Sequence, residues 1–156
     1  MRALLQRVTR AEVRVEGNAV GAIGPGLLVF LGVAPGDDEF VASALAAKVA
    51  ALRLFADAEG LTNLSLAEVG GSALVVSQFT LYADTRRGRR PSFIGAAGPV
   101  VGERLYEIFC EILASLNVPV KQGVFGAHMD VDLVNDGPFT IWLDSEELGL
   151  EPRPTA

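Results

Sequence analysis

Polar and apolar residues alternate at the start of the chain, where Val13 and Val15 are set between Glu12, Arg14 and Glu16 in RALLQRVTRAEVRVEG. A period of two predicts a half-buried strand. Gly17-Asn18 turns the chain, AVGAI follows, and Gly24-Pro25-Gly26 breaks it. LLVFLGV is apolar without interruption, as expected of a central strand covered on both faces. The period then lengthens. In DEFVASALAAKVAALRLF, Val41, Leu45, Val49 and Leu52 recur at helical spacing, with Asp37 or Asp38 placed to cap the helix. ADAEGLTNLSLAEVGG predicts a loop with short elements, and SALVVSQFTLYA, Ser72 to Ala83, predicts one strong strand. A second helix is expected from Pro99, with Val101, Leu105, Ile108, Ile112 and Leu116 on one face and Pro119 as its stop. KQGVFGAHMDVDLV predicts strand again, with Met129, Val131 and Leu133 facing one way and Asp130 and Asp132 the other. FTIWLDS is the last strand. The expected fold is α+β: a single domain over residues 1–145, with a mostly antiparallel, barrel-like sheet of about seven strands and two main helices. Residues 146–156 form a polar, proline-containing tail expected to fray.

One stretch resists this scheme. In LVNDGPFTIW, Asn135, Asp136, Gly137 and Pro138 read as a hairpin turn, yet Pro138 stands where the second strand should begin. Proline has no N–H to give to a ladder.

Composition narrows the function. The chain has 156 residues, half of them hydrophobic, which suits one compact domain with a real core. Net charge is −6, so a polyanion is not attracted by the overall field, and a nucleic-acid site must be a local basic patch. TRRGRRP supplies one, with Arg86, Arg87, Arg89 and Arg90 in five positions. One cysteine and one histidine exclude a disulfide framework and a Cys/His zinc site within one chain; no metal site and no cofactor is expected. MRALLQRVTR interleaves arginine with apolar residues, unlike a signal peptide, and the longest apolar run, GLLVFLGVA, is too short to span a bilayer. The protein is expected to be soluble and cytoplasmic.

The usual catalytic side chains are missing. Cys110 in YEIFCEIL reads as a small buried hydrophobe, and His128 as a partly exposed strand residue. No G-x-S-x-G elbow, Walker loop or G-x-G-x-x-G is present, and GAIGPG reads as a tight turn before a strand. Chemistry would have to come from backbone groups, hydroxyls, water or the substrate. Two stretches qualify. SQFTL places Ser77, Phe79 and Leu81 on one face of the expected strand and Gln78 and Thr80 on the other. Such polar groups either bond neighbouring backbone or form the polar floor of a pocket. Gly137-Pro138 is either an ordinary trans edge turn or a rigid backbone wedge, where the missing Cβ lets a ligand approach.

SQFTLYADTRRGRRPSF (Ser77–Phe93) and LVNDGPFT (Leu133–Thr140) together resemble the two signature motifs of the D-aminoacyl-tRNA deacylases, also called D-tyrosyl-tRNA deacylases. QRVTRAEV, IGPGLLVFLGV, NLSL and GVFGAHM are similar to the family as well, so the likeness runs through nearly the whole chain except the tail. Arg87, where a lysine is frequent, keeps the charge. The resemblance implies hydrolysis of the ester between a D-amino acid and the terminal adenosine of tRNA, by a homodimer with its active site at the subunit interface. It implies that Ser77, Gln78, Phe79 and Thr80 form the catalytic pocket wall. Gly137 and Pro138, joined by a cis bond and inserted into the partner's pocket, would select chirality, with Phe125 and Met129 also binding substrate. An L side chain would collide with the wedge, and a D side chain would project away. Glycine could not be rejected this way, which exposes glycyl-tRNA(Ala) to the enzyme. Thr80 could be a nucleophile, but no base is visible; backbone N–H groups near Phe79 or Thr80, with help from the ribose hydroxyl, are the preferred reading. Arg86, Arg87, Arg89 and Arg90 would meet acceptor-end phosphates. A non-catalytic tRNA-binding module, or an enzyme for another acyl or peptide substrate, are the alternatives.

Overall fold

The computed structural model describes residues 1–152. Its spine is β1 (Arg2–Val15). β8 (Asp130–Asp144) runs antiparallel along one edge of β1. β3 (Gly26–Gly32) takes the other edge from Arg2 to Val8, and β2 (Asn18–Ile23) takes it from Ala11 to Val15. β6 (Ser72–Ser77) joins β3 in parallel, and β7 (Val120–Gln122) joins β6 in parallel. β2 curls over to meet β7: a Cβ on Gly21 would lie 2.7 Å from the Gln122 carbonyl oxygen. The mixed sheet thus nearly closes into a barrel. β4 (Phe55–Ala56) and β5 (Thr62–Leu64) form a separate small hairpin. The α+β class, single domain and two main helices hold, with six strands in the main sheet and two beside it.

The uninterrupted apolar pattern of β3 is used on both faces. Leu27, Val29 and Leu31 pack in the cluster under the helices, and Leu28 belongs to the second cluster with Val8, Ala11, Val13 and Ile23. β6 divides the same way, with Ala73 and Val75 in the first cluster and Leu74 and Val76 in the second. Met129, Val131 and Leu133 all pack against the second cluster, as their common face predicts.

α1 (Glu39–Ala51) starts where Asp38 accepts a 2.9 Å bond from the Val41 N–H, a cap worth about 1 kcal/mol. Asp37 instead accepts from the Ala34 N–H at 2.6 Å and braces the preceding loop. The helix is shorter than its pattern. Leu52 is extended, and Phe55 is drawn into the β4–β5 pairing. α2 (Pro99–Ser115) does begin at Pro99, but its buried face is rotated from the expected one. Leu105, Tyr106, Phe109, Cys110 and Leu113 are buried, Ile108 and Ile112 are half-buried, and Val101 and Leu116 are exposed. Both stripes are apolar at helical spacing, so contact with α1 and the sheet decides between them. The first part of the expected fraying tail is hydrogen-bonded: Leu148 N–H donates to the Asp144 carbonyl at 3.0 Å and Leu150 N–H to that of Ser145 at 2.8 Å. Residues 153–156 of that tail lie outside the described residues. No helix among the described residues is long and apolar enough to cross a membrane.

Cys110 is the small buried hydrophobe expected, 1% exposed. Burial pushes its thiol up to about 12 from an ordinary 9.0. Burial also raises the Tyr106 and Tyr82 phenols above 10.0. On unfolding these groups would ionise at their ordinary values, so in alkali the unfolded chain binds fewer protons than the folded one. Stability is therefore present below pH about 9 and is lost as pH rises beyond it. Urea unfolding between pH 8 and 11 is expected to show a falling midpoint, with the earliest part of the fall removed in Cys110→Ala.

Candidate active site

A cavity of about 590 Å³ opens where β6 ends, between the segments that precede α2 and β8. Ser77, Gln78 and Phe79 form one wall, Phe93 and Ala97 the second, and Phe125, His128 and Met129 the third.

The first wall corrects an expectation. β6 stops at Ser77, the last residue paired with β3, and Phe79–Tyr82 winds into a 3₁₀ turn. SQFTLY has strand-forming residues, but no partner strand continues beside them, and tertiary context overrides propensity. The alternation of faces expected from Ser77 to Leu81 is therefore absent, and Phe79 is 55% exposed at the cavity. The turn packs against the bare backbone of Gly32, where a Cβ would come within 3.2 Å of the Tyr82 ring. This change has a chemical consequence. In a strand, the Phe79 and Thr80 N–H groups would serve a ladder. At the first turn of a helix they have no carbonyl within it to bond. Gln78 Nε2 donates to the Thr80 hydroxyl, and Thr80 itself is not part of the wall.

The other walls are set by small residues. The Phe79 ring meets Phe93 edge to face, with centroids 5.1 Å apart. Phe125 leans on Tyr106 at 6.1 Å, over Gly102, where a Cβ would lie 3.4 Å from the ring. Met129 lies so close to Gly123 that a Cβ there would be 2.7 Å from its Sδ. Residues 123–129 are therefore loop, not the expected strand, and His128 is turned to the cavity rather than lying along a strand. Sequence reasoning missed His128, Phe93 and Ala97. The small-residue run GAAG before Pro99 was the available signal for a surface that something approaches closely.

Asn135 to Pro138 is not a hairpin turn. β8 passes through it without reversing, still paired to β1. Between the pairs Gln6–Thr140 and Val8–Asn135, two steps along β1 match five along β8, so residues 136–139 bulge out opposite Arg7. The Gly137–Pro138 bond is cis. Asn135 Nδ2 donates to the Arg7 carbonyl at 2.9 Å and the Phe139 carbonyl at 3.2 Å. The Arg7 guanidinium lies 4.2 Å from the Phe139 ring centroid, and its Nη1 donates to the Leu54 carbonyl at 2.6 Å. Its Nε is 2.9 Å from Asp136 Oδ2, an ion pair by distance without hydrogen-bond alignment. Gly137 and Pro138 are exposed at the crest. They do not line their own chain's cavity, so one chain brings Ser77, Gln78, Phe79, Phe125 and Met129 together but not the Gly-Pro pair.

The arginine loop is closed at its base by reciprocal backbone bonds between Asp84 and Ser92, 2.7 and 2.9 Å, with Gly88 left-handed near its tip. Arg86 grips Asp84 through Nε and Nη2 at 2.9 and 2.7 Å and holds that carboxyl well below the usual range. Arg87, Arg89 and Arg90 are exposed, with no side-chain partner among the described residues.

A nearly closed mixed sheet backed by two helices, with an open pocket lined by amide and aromatic groups and a loop of exposed arginines, defines the α+β domain. A family model described as D-Tyr-tRNA(Tyr) deacylase matches residues 4–144. The chain belongs to this D-aminoacyl-tRNA deacylase family. A protein of Thermomicrobium roseum named D-aminoacyl-tRNA deacylase is 63% identical over 95% of this chain and 96% of its own length. One of the same name from Deinococcus radiodurans is 58% identical over 92% of this chain and 99% of its own. Among solved structures, a c-Myc DNA Unwinding Element Binding Protein matches with a TM-score of 0.87 and 39% identity, over 93% of this chain and 99% of that one. A probable eukaryotic D-amino acid tRNA deacylase shares the fold at a TM-score of 0.79 and 20% identity, over 91% of this chain and 97% of that one.

Proposed function

We propose that this chain is a D-aminoacyl-tRNA deacylase: a hydrolase that cleaves the ester of D-aminoacyl-tRNA, releases D-amino acid and free tRNA, and leaves L-aminoacyl groups attached. Family membership supports the activity. The observation that carries the mechanism is the pairing of an open cavity with an exposed Gly137-Pro138 crest that does not line it. In a homodimer, the crest of one subunit completes the cavity of the other. The aminoacyl-adenosine enters between Phe79, Phe125 and Met129. The crest carbonyls grip the α-amino group and crowd the Cα, so an L side chain collides and a D side chain points to open space. A glycyl group has nothing to collide, and glycyl-tRNA(Ala) is therefore a substrate. Water attacks the ester carbonyl, the Phe79 and Thr80 N–H groups stabilise the oxyanion, and the terminal ribose oxygen leaves with a proton. The ribose hydroxyl helps to position the water. These events take place in the cytoplasm.

Arg87, Arg89 and Arg90 meet acceptor-end phosphates, while Arg86 shapes the loop through Asp84. Replacing the three free arginines by alanine is expected to raise KM about tenfold and flatten the salt dependence by about 0.7 for each phosphate left without its arginine. The D-over-L preference is expected to stay unchanged.

The direct test is release of tyrosine from matched D-Tyr-tRNA and L-Tyr-tRNA. The expected result is release from the D ester at least about 100-fold faster than from the L ester. Salt-sensitive tRNA binding without turnover would instead leave a binding module.

A further inference from the structure

We propose that Arg2 is a positioning residue for the hydrolytic step, holding the carbonyl of Leu81 and so fixing the turn that presents the Phe79 and Thr80 N–H groups. The proposal rests on the oxyanion role given to those groups above. Arg2 is not part of the cavity wall, so it acts through the turn and not on substrate.

The turn has little rigidity of its own. It is four residues of 3₁₀ helix, held internally by Leu81 N–H to the Gln78 carbonyl at 3.2 Å and Ala83 N–H to the Thr80 carbonyl at 3.0 Å. Such turns have poor hydrogen-bond geometry, and their last carbonyls lack helical partners. The start of the turn is tied to the sheet, because Gln78 N–H donates to the Leu31 carbonyl at 2.8 Å. At the other end, Arg2 Nη1 donates to the Leu81 carbonyl at 3.0 Å. Arg2 is itself fixed in several directions. Its Nε donates to Asp144 Oδ2 at 2.8 Å, and its guanidinium lies 4.4 Å from the Tyr82 ring centroid and 5.6 Å from that of Trp142. One planar fork therefore joins the end of β8, the start of β1 and the far end of the turn. A lysine ammonium can keep the ion pair with Asp144 but cannot reproduce the fork that bonds Asp144 and the Leu81 carbonyl at once beside two aromatic rings.

The test compares wild type, Arg2→Lys and Arg2→Met in steady-state and single-turnover deacylation of D-Tyr-tRNA, with thermal unfolding and amide hydrogen exchange of residues 78–83. Arg2→Lys is expected to lower kcat by about ten- to a hundredfold with KM within about twofold, because a slightly displaced donor costs rate more than binding. Its Leu81 and Ala83 amides are expected to exchange about tenfold faster, with β6 amides unchanged. Arg2→Met is expected to show the same loss together with a lower Tm. An unchanged kcat, a loss confined to KM, or unaltered exchange in Arg2→Lys would overturn the proposal. If wild type itself fails to release D-tyrosine, the functional reading falls, and the exchange data still decide whether Arg2 holds the turn.

Discussion

Gly137→Ala is expected to lower kcat/KM for D-Tyr-tRNA by at least about 100-fold while leaving stability within about 0.5 kcal/mol of wild type. The two halves of this expectation come from different surroundings. Within the chain, a Cβ at residue 137 would meet nothing nearer than Asn135 Oδ1 at 3.9 Å, an ordinary contact. The residue does not lie in the left-handed region, so a methyl brings no backbone strain, and alanine slightly restricts the unfolded chain. Gly26 is the contrast. A Cβ there would fall 1.9 Å from the Ser72 carbonyl oxygen, and substitution would disturb the fold. A methyl at 137 is harmful only if another molecule comes close to that surface. The proposed neighbour is the Cα and amino group of the substrate in the partner's cavity. Urea unfolding and initial rates on the D ester measure both halves. Full activity in a folded Gly137→Ala protein would remove the wedge from the account.

The second large effect separates the backbone of Thr80 from its side chain. Thr80→Pro is expected to lower kcat by about 10²–10³-fold, the usual cost of one oxyanion donor, whereas Thr80→Ala is expected to lower it by less than about tenfold. Thr80 is the second residue of the turn, where its N–H has no intrahelical acceptor, so a proline there removes the donor without breaking a bond of the turn. The Thr80 hydroxyl accepts from Gln78 Nε2, and no imidazole or carboxylate partner is bonded to it among the described residues. A nucleophile without a base is weak. Single-turnover rates of the two variants, with circular dichroism to confirm folding, distinguish the roles. Loss of all turnover in a folded Thr80→Ala protein would make the hydroxyl the nucleophile.

Where one local rule governed a segment, the sequence was legible. The alternation before Gly17, the unbroken run of β3 and the Asp38 cap each appear in the structure as their residues predict. Motif resemblance brought Ser77, Gln78, Phe79, Phe125 and Met129 forward, and all five line one cavity. The failures share a cause. SQFTLY reads as strand because its residues favour one, and only the missing partner beyond Ser77 reveals a turn. NDGP reads as a hairpin because turn residues carry no sign of whether the chain reverses; pairing of β8 to β1 on both sides of the bulge decides it. The rotation of α2 and the cavity position of His128 likewise depend on what stands opposite, which one chain's spacing does not encode. The proposed sharing of the site between two subunits lies further still from local pattern.

Deacylation by mixed dimers tests that sharing most directly. One preparation carries Gly137→Ala, which spoils the crest and keeps the cavity. The other carries Ala127→Trp, at a residue that lines the cavity beside His128, which fills the cavity and keeps the crest. Each is expected to be nearly inactive alone on D-Tyr-tRNA. After subunit exchange at equal amounts, half of the dimers are mixed and each holds one intact site, so about one quarter of wild-type activity is expected to return. A mixture that exchanges subunits yet stays inactive would contradict a site built from two chains.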